Sequence, residues 1–309
     1  MISRRNIRVK VMQTLYGIET SEQDIPVEKS VKMLDAQFDQ TRQLFSYLVY
    51  FITSVTRYAE TDSRKRASKH LPSQQDLEVN TKIAGNSLLW QIMEAPGFQK
   101  TIEDLHIKKF DNPELTKKIY QQFTETPEYK EYISIASRDK KDEKKIIEFL
   151  FDSLILPSDD VISWVEENFI GWDDDAEMIQ QMMSGLFQKP SSYDFTQLIS
   201  PEKLKFGRDL LKTAIEKKTG CMDLIKPRLK NWDSERIAVL DMILMRMGVA
   251  ELLYFETIPT KVTINEYIDL AKEYSTPQSG QFVNGILDNI HKELDTDGKL
   301  VKVDYKKQS

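Results

Sequence analysis

The sequence predicts an all-α fold. Glycine and proline number 11 each in 309 residues, too few for the turns that a strand-rich chain of this length needs. Apolar residues recur at steps of three and four in nearly every segment, the period of a helix with one buried face. Cap residues followed by proline mark new starts along the chain. The apolar fraction is 40%, enough for a core, and the length suits one large domain or two ordinary ones.

The first helix follows from Ile7, Val11, Leu15 and Ile18, which form one apolar stripe, with Ser3 as N-cap. Arg4, Arg5 and Arg8 crowd its start. A helix N-terminus carries roughly half a positive charge, so cations there cost stability. Arg5, Arg8, Met12 and Tyr16 fall on the flank beside the stripe. Arginine and tyrosine side by side can grip phosphate and stack on a base. A solvated face beside a core stripe explains the same residues. Both readings leave Arg5 and Arg8 exposed.

Asp24 and Pro26 start the second helix. Val27, Val31, Leu34, Phe38, Thr41, Phe45, Leu48, Ile52, Val55 and Ala59 then alternate steps of four and three, which suits one long helix or two collinear ones. The stripe ends near Arg64-Lys65-Arg66, with Lys69, His70 and Pro72 beyond. Such a run reads first as a solvated loop and second as an RNA contact. Further helices are predicted near 76–94, 99–108, 113–122, 127–136, 141–155 and 159–169. Trp172-Asp173-Asp174-Asp175 opens another, its acids placed where the dipole favours them. The last ones lie near 201–218, 221–230, 233–256, 263–274 and 277–293, and the polar tail from Asp295 is expected to fray.

Composition excludes several classes. The net charge is −6, so any nucleic-acid site is local. The lone Cys221 rules out a disulfide framework and fits a reducing cytoplasm. No signal-peptide pattern opens the chain. The most apolar stretch, 237–255, holds Asp241, Arg246 and Glu251, which argues against a membrane span. His70, His106 and His291 have no metal spacing, and there is no glycine-rich phosphate loop, nucleophile elbow or CxxC. The expectation is a protein that is not an enzyme and needs no cofactor.

The C-terminal third is the most informative. Asp241, Arg246 and Glu251 are five apart, so they point about 140° from one another around a helix. Either each is a cap or an intramolecular ion pair, or at least Glu251 faces another protein. Thr263-Ile264-Asn265-Glu266 reads as a capping box, with Thr263 as N-cap. Thr276 and Pro277 start the last helix, and Gln278, Ser279, Gly280 and Gln281 line its first turn, a candidate anion seat beside Tyr274. Gly280 and Gly285 are costly inside a helix and suggest close approach of another backbone.

Read together, RRNIRVKVMQTLY at 4–16, KFGRDLLKTAIEKK at 205–218, ERIAVLDMILMRMGVAELLYFETIP at 235–259, KVTINEYIDLAKEYS at 261–275 and GQFVNGILDNI at 280–290 resemble the NusB family of transcription antitermination factors. The resemblance implies an all-helical fold of two small subdomains. It also implies binding to the boxA element of nascent ribosomal RNA together with NusE, the small-subunit ribosomal protein, within the RNA polymerase antitermination complex. By position, the RNA surface would include Arg4, Arg5, Arg8, Gln13, Tyr16, Tyr274, Gln278 and Gln281, and the NusE-facing surface would include Glu251. Many relatives carry an acid at the position of Gln278 and a lysine at that of Gln281; here both are neutral amides. Typical relatives are also much shorter. The expected division is a NusB-like core of 1–19 and 172–309 with a helical insertion over 20–171, either a buttress or an added surface.

Two other readings stand beside this one. A ribosomal RNA methyltransferase with a NusB-like N-terminal module would need a cofactor-binding α/β domain after Leu294, and no glycine-rich turn follows there. A protein-only helical scaffold or ribosome-assembly adaptor that has lost boxA binding fits the acidity and the neutral Gln278 and Gln281.

Overall fold

The computed structural model describes residues 2–21, 24–229 and 237–303. Every regular element among them is helical. The chain divides into two compact units, one of Asp39–Leu198 with Ile2, the other of Ser3–Phe38 and the chain from Ile199 onward.

Helix α1 spans Arg4–Glu19, and the Ser3 side chain accepts from the Asn6 N–H as its N-cap. Ile7, Val11 and Leu15 are fully buried, while Ile18 is half-buried. The second stripe forms one continuous helix, α2, over Val27–Ala67. Its residues from Leu34 to Ala59 in the stripe are all buried.

In the first unit α2 carries an aromatic core. Tyr47 packs on Phe169 at 5.1 Å and on Phe110 at 6.0 Å between ring centres. Phe45 and Phe98 both meet Phe195. Around them lie α3 (Gln74–Leu77), α4 (Ser87–Met93), α5 (Phe98–Asp104), α6 (Pro113–Glu125), α7 (Pro127–Ser134), α8 (Lys140–Phe149), α9 (Asp159–Asn168) and α10 (Trp172–Gln188). Asn112 and Thr126 cap α6 and α7, each followed by proline at the first helical position, as those dipeptides predict. Asp175 of α10 is buried and accepts from Thr41 Oγ1 at 2.8 Å.

Three predicted elements differ. The pattern at 76–94 is broken because polar side chains intercept its backbone. Asn80 Oδ1 accepts from Lys82 N–H, and Asn86 Oδ1 accepts from Leu88 and Leu89 N–H, which restarts the helix as α4. The 99–108 pattern stops at Asp104, and His106 takes a left-handed conformation at φ 51°. The 141–155 pattern changes to a π-helical turn at Leu150–Ile155.

The second unit adds α11 (Pro201–Glu216), α12 (Lys218–Ile225), α13 (Val239–Tyr254), α14 (Thr260–Tyr274) and α15 (Ser279–Thr296). Residues 233–236 of the predicted 233–256 helix, and Lys230 of 221–230, lie outside the described residues; α13 begins after Ala238, whose backbone is extended at ψ 138°. Helix α14 starts at Thr260, so Thr263 is not its N-cap but a buried side-chain donor within the first turns. The last helix begins at Ser279 rather than Pro277.

Neither glycine read as a backbone contact is one. A Cβ on Gly280 would meet the Lys272 stem at 2.6 Å, and one on Gly285 would meet nothing within 4 Å. Gly248 is also closely packed, by a side chain: a Cβ there would lie 2.9 Å from a Leu287 methyl. The tail expected to fray is tied down as far as it is described, and residues 304–309 lie outside the described residues. Val303 N–H donates to Glu256 O at 3.0 Å, and Lys302 Nζ donates to the carbonyls of Glu251 and Phe255. Burial lowers the Lys302 pKa, a shift the charges of Glu251 and Glu256 partly oppose.

Two alanine substitutions should therefore act with opposite signs. Gly285→Ala should stabilise by up to about 1 kcal/mol through helix propensity. Gly248→Ala gains the same propensity but overpacks, at a cost of roughly 1–3 kcal/mol, and should destabilise. Urea unfolding of both variants checks the order.

Candidate nucleic-acid interface

Helix α13 is apolar all round and buried, so its three charges have to be satisfied inside the second unit. Their five-residue spacing sends each to a different neighbour. Asp241 Oδ2 accepts from Ser279 Oγ of α15 at 2.8 Å. Arg246 Nη1 donates to Glu19 Oε1 of α1 at 2.6 Å. Glu251 meets α1 and α14. Of the two accounts of these charges, capping and internal pairing is the one realised.

Glu251 has no exposed surface, and Arg8 is 2% exposed. Arg8 Nε and Nη2 donate to the two Glu251 oxygens at 2.9 and 2.7 Å, a bidentate fork. Thr263 Oγ1 donates to Oε1 at 2.8 Å and Tyr267 OH to Oε2 at 3.1 Å. Arg8 Nη1 also reaches Glu266 at 3.2 Å, and the guanidinium lies 5.4 Å from the Phe206 ring centre. Burial lowers the Arg8 pKa, but the bonds and charge of Glu251 outweigh it and hold the guanidinium above its ordinary value. Burial likewise drives the Tyr267 hydroxyl well upward, and the Glu251 charge adds to it.

Two expectations are corrected by this geometry. Arg8 is not exposed, and Glu251 cannot face a partner protein. Each is an isolated charge on an apolar helix face, and burial without the other would leave it uncompensated.

The other arginines remain at the surface. Arg4 Nη2 lies 3.0 Å from Glu202 and Arg5 Nη2 lies 2.6 Å from Glu273. The Arg5 bridge joins the start of α1 to the end of α14, beside half-buried Tyr274. The turn that follows carries exposed Gln278 and Gln281. Tyr16 is 46% exposed, and eleven residues beyond Arg5 it falls on the same helix face. Gln13 is half-buried on the adjoining flank. Glu273 thus ties Arg5 to the residue next to Tyr274; sequence alone does not single out Glu273, and an acid one position before Tyr274 is the available signal.

The anion seat at the last helix is not formed as expected. Ser279 N–H donates to Thr276 O and Gln281 N–H to Gln278 O, and Ser279 and Gly280 are buried. The Asp241 carboxylate occupies the site below that an anion would share. The exposed residues of this turn are Thr276, Pro277, Gln278 and Gln281, of which the two glutamines carry amide side chains.

A groove of about 620 Å³ opens along α11 and the end of α13. Phe206, Tyr254, Phe255 and Ile258 supply its apolar wall, and Tyr254 is 48% exposed.

The profile of the NusB family matches residues 172–292. The transcription antitermination protein NusB of Salinibacter ruber is 38% identical over 130 residues, 42% of this chain and 76% of that relative. The protein of the same name from Finegoldia magna is 36% identical over 119 residues, 38% of this chain and 87% of its own. That from Chloroherpeton thalassium is 50% identical over 72 residues, 23% of this chain and 34% of its own. No solved structure matches the chain.

Breaking the buried pair should cost about 3–5 kcal/mol, because one charge is left stranded. Arg8→Met and Glu251→Leu should each lose that much in urea unfolding, and the double variant should recover part of it. Glu19 gives a pH effect. Burial raises its pKa, but bonds from Lys218 and Arg246, and their charges, lower it below the ordinary 4.5. The stability it contributes is therefore complete above that ordinary value and is lost as pH falls through the lower folded one. Glu19→Gln should flatten the acid limb of the stability–pH curve.

Proposed function

The chain belongs to the NusB family, and from that premise we propose that it is a transcription antitermination factor that binds boxA-type single-stranded RNA together with NusE, supporting ribosomal RNA transcription in the cytoplasm. The observation that carries the RNA half is the Arg5–Glu273 bridge. It ties Arg5 to the residue next to Tyr274, and the exposed Gln278 and Gln281 follow in the turn after it, with Arg4 next to Arg5 and Tyr16 and Gln13 further along α1.

The ion pairs of Arg4 and Arg5 do not oppose this role. Both are exposed, and exposed pairs are worth about 0–1 kcal/mol, so phosphate can take the place of the carboxylate. The neutral Gln278 and Gln281 supply hydrogen bonds to base edges without repelling the backbone. NusE is assigned to the groove at Tyr254, since the same helix offers Tyr254 to solvent and withholds Glu251.

Binding of a labelled boxA-type strand and a scrambled one, with and without NusE, tests the reading. Arg5→Ala should flatten the log–log salt slope by about 0.7, the value of one single-strand phosphate contact. Tyr274→Ala should cost about 1–3 kcal/mol with the slope unchanged, because stacking is nearly independent of salt. Tyr254→Ala should weaken NusE capture by about 2 kcal/mol, as loss of an aromatic anchor does, and leave RNA binding by the free protein intact. If neither Arg5→Ala nor Tyr274→Ala changes RNA binding, the α1 surface is only a solvated helix start.

A further inference from the structure

Between Arg57 and Pro72 stand five lysines and arginines against two acids, in a chain whose net charge is −6. This end of α2 lies in the first unit, outside the residues matched to the family profile. We infer that it is a second contact for single-stranded RNA, made to phosphates by Arg57, Arg64 and Lys65. The choice of RNA among polyanions rests on the antitermination reading above.

The side chains sort by helix face. Arg57 and Arg64 are seven residues apart, which puts them on one side and roughly 10 Å apart along the axis. Thr61, Lys65 and Ser68 fall within the same or the adjoining strip. Asp62 lies away from it and is taken by Arg66 at 2.8 Å. Asp76 is taken by Lys69 at 2.7 Å. Arg57 is only at the limit of an ion pair with Glu60, 4.0 Å. Arg64 Nε donates to the Glu60 carbonyl, and the residue is exposed. Lys65 Nζ donates to Tyr58 OH at 3.4 Å and sits 5.4 Å from that ring centre. Asp62 and Asp76 thus neutralise Arg66 and Lys69, and Glu60, exposed beside Arg57, is the one acid of the segment left against the cations Arg57, Arg64 and Lys65.

The helix dipole does not account for this strip. Cations in the last turn complement it, but the effect is confined to that turn. Arg57 lies more than two turns upstream of the helix end at Ala67.

The test uses the full chain and a labelled 20-nucleotide oligouridylate, which has no boxA sequence. The variant R57A/R64A/K65A should flatten the log–log salt slope by about 2, three contacts at roughly 0.7 each. Alanine keeps α2 helical, and circular dichroism verifies it. K100A/K140A/K141A removes the same charge from exposed positions of the same unit and should leave the slope nearly unchanged. An equal loss in both triple variants, no oligouridylate binding by the wild type, or an unchanged slope in R57A/R64A/K65A each overturns the proposal. So does equal competition by a polyglutamate peptide of matching charge, which would assign the strip to acidic proteins. Arg5→Ala on the boxA-type strand is read separately, so loss of one contact with survival of the other shows which of the two assignments has failed.

Discussion

The second unit depends on one buried pair, Arg8 with Glu251. The residues are 243 apart in sequence and come from helices whose buried sides are mostly apolar. Taking either charge out of water costs several kcal/mol, repaid only by close geometry and a full set of hydrogen bonds. Glu251 receives four, two on each oxygen, from α1 and α14. Apolar stripes alone tolerate sliding by a turn. A helix with Arg8 in its buried face does not, because a slip of one turn would leave two charges without partners. The pair therefore fixes the register of α1, and with it where Arg5 and Tyr16 are presented.

The three arginines at the start of α1 thus divide. Arg8 is structural, and Arg4 and Arg5 are available. The dipole penalty that makes the cluster look misplaced is offset locally, since Glu202 and Glu273 each bring a carboxylate to it. Those two bridges differ from the buried one in what they can do. Water screens them, and a phosphate can replace the carboxylate at little cost. The buried fork has no such exchange open to it.

The fold was largely legible because its signals are local. Proline after Asn112 and Thr126 set the starts of α6 and α7, and the four–three stripe of α2 left only the choice between one helix and two. Where side chains of Asn80 and Asn86 capture the backbone, period alone could not show the break, since the apolar residues keep their spacing across it. The site was legible in part. Spacing showed that Asp241, Arg246 and Glu251 face three ways, but not that Ser279, Glu19 and Arg8 wait there, because partners far apart in sequence leave no periodic trace. The place of Arg8 on the flank beside the apolar stripe predicts an exposed side chain, whereas it is 2% exposed. A cation beside the apolar stripe of α1 and an acid in the apolar α13 are the available sign that the two meet inside.

The same buried charges shape the surface above them. Asp241 holds Ser279, whose hydroxyl also accepts from the Thr276 N–H, so the turn between α14 and α15 is pinned from below. That pinning occupies the N–H groups of Thr276 and Ser279 and holds the Asp241 carboxylate against the Ser279 hydroxyl at the helix start. What the turn can offer outward is then set by its side chains, Tyr274, Gln278 and Gln281, rather than by a helix terminus. Under the RNA-binding function proposed above, a turn built this way would favour stacking and hydrogen bonds to bases over capture of a bare phosphate, and would leave phosphate contact to Arg4 and Arg5 of α1. The division of labour between those two elements follows from where the buried acid lies.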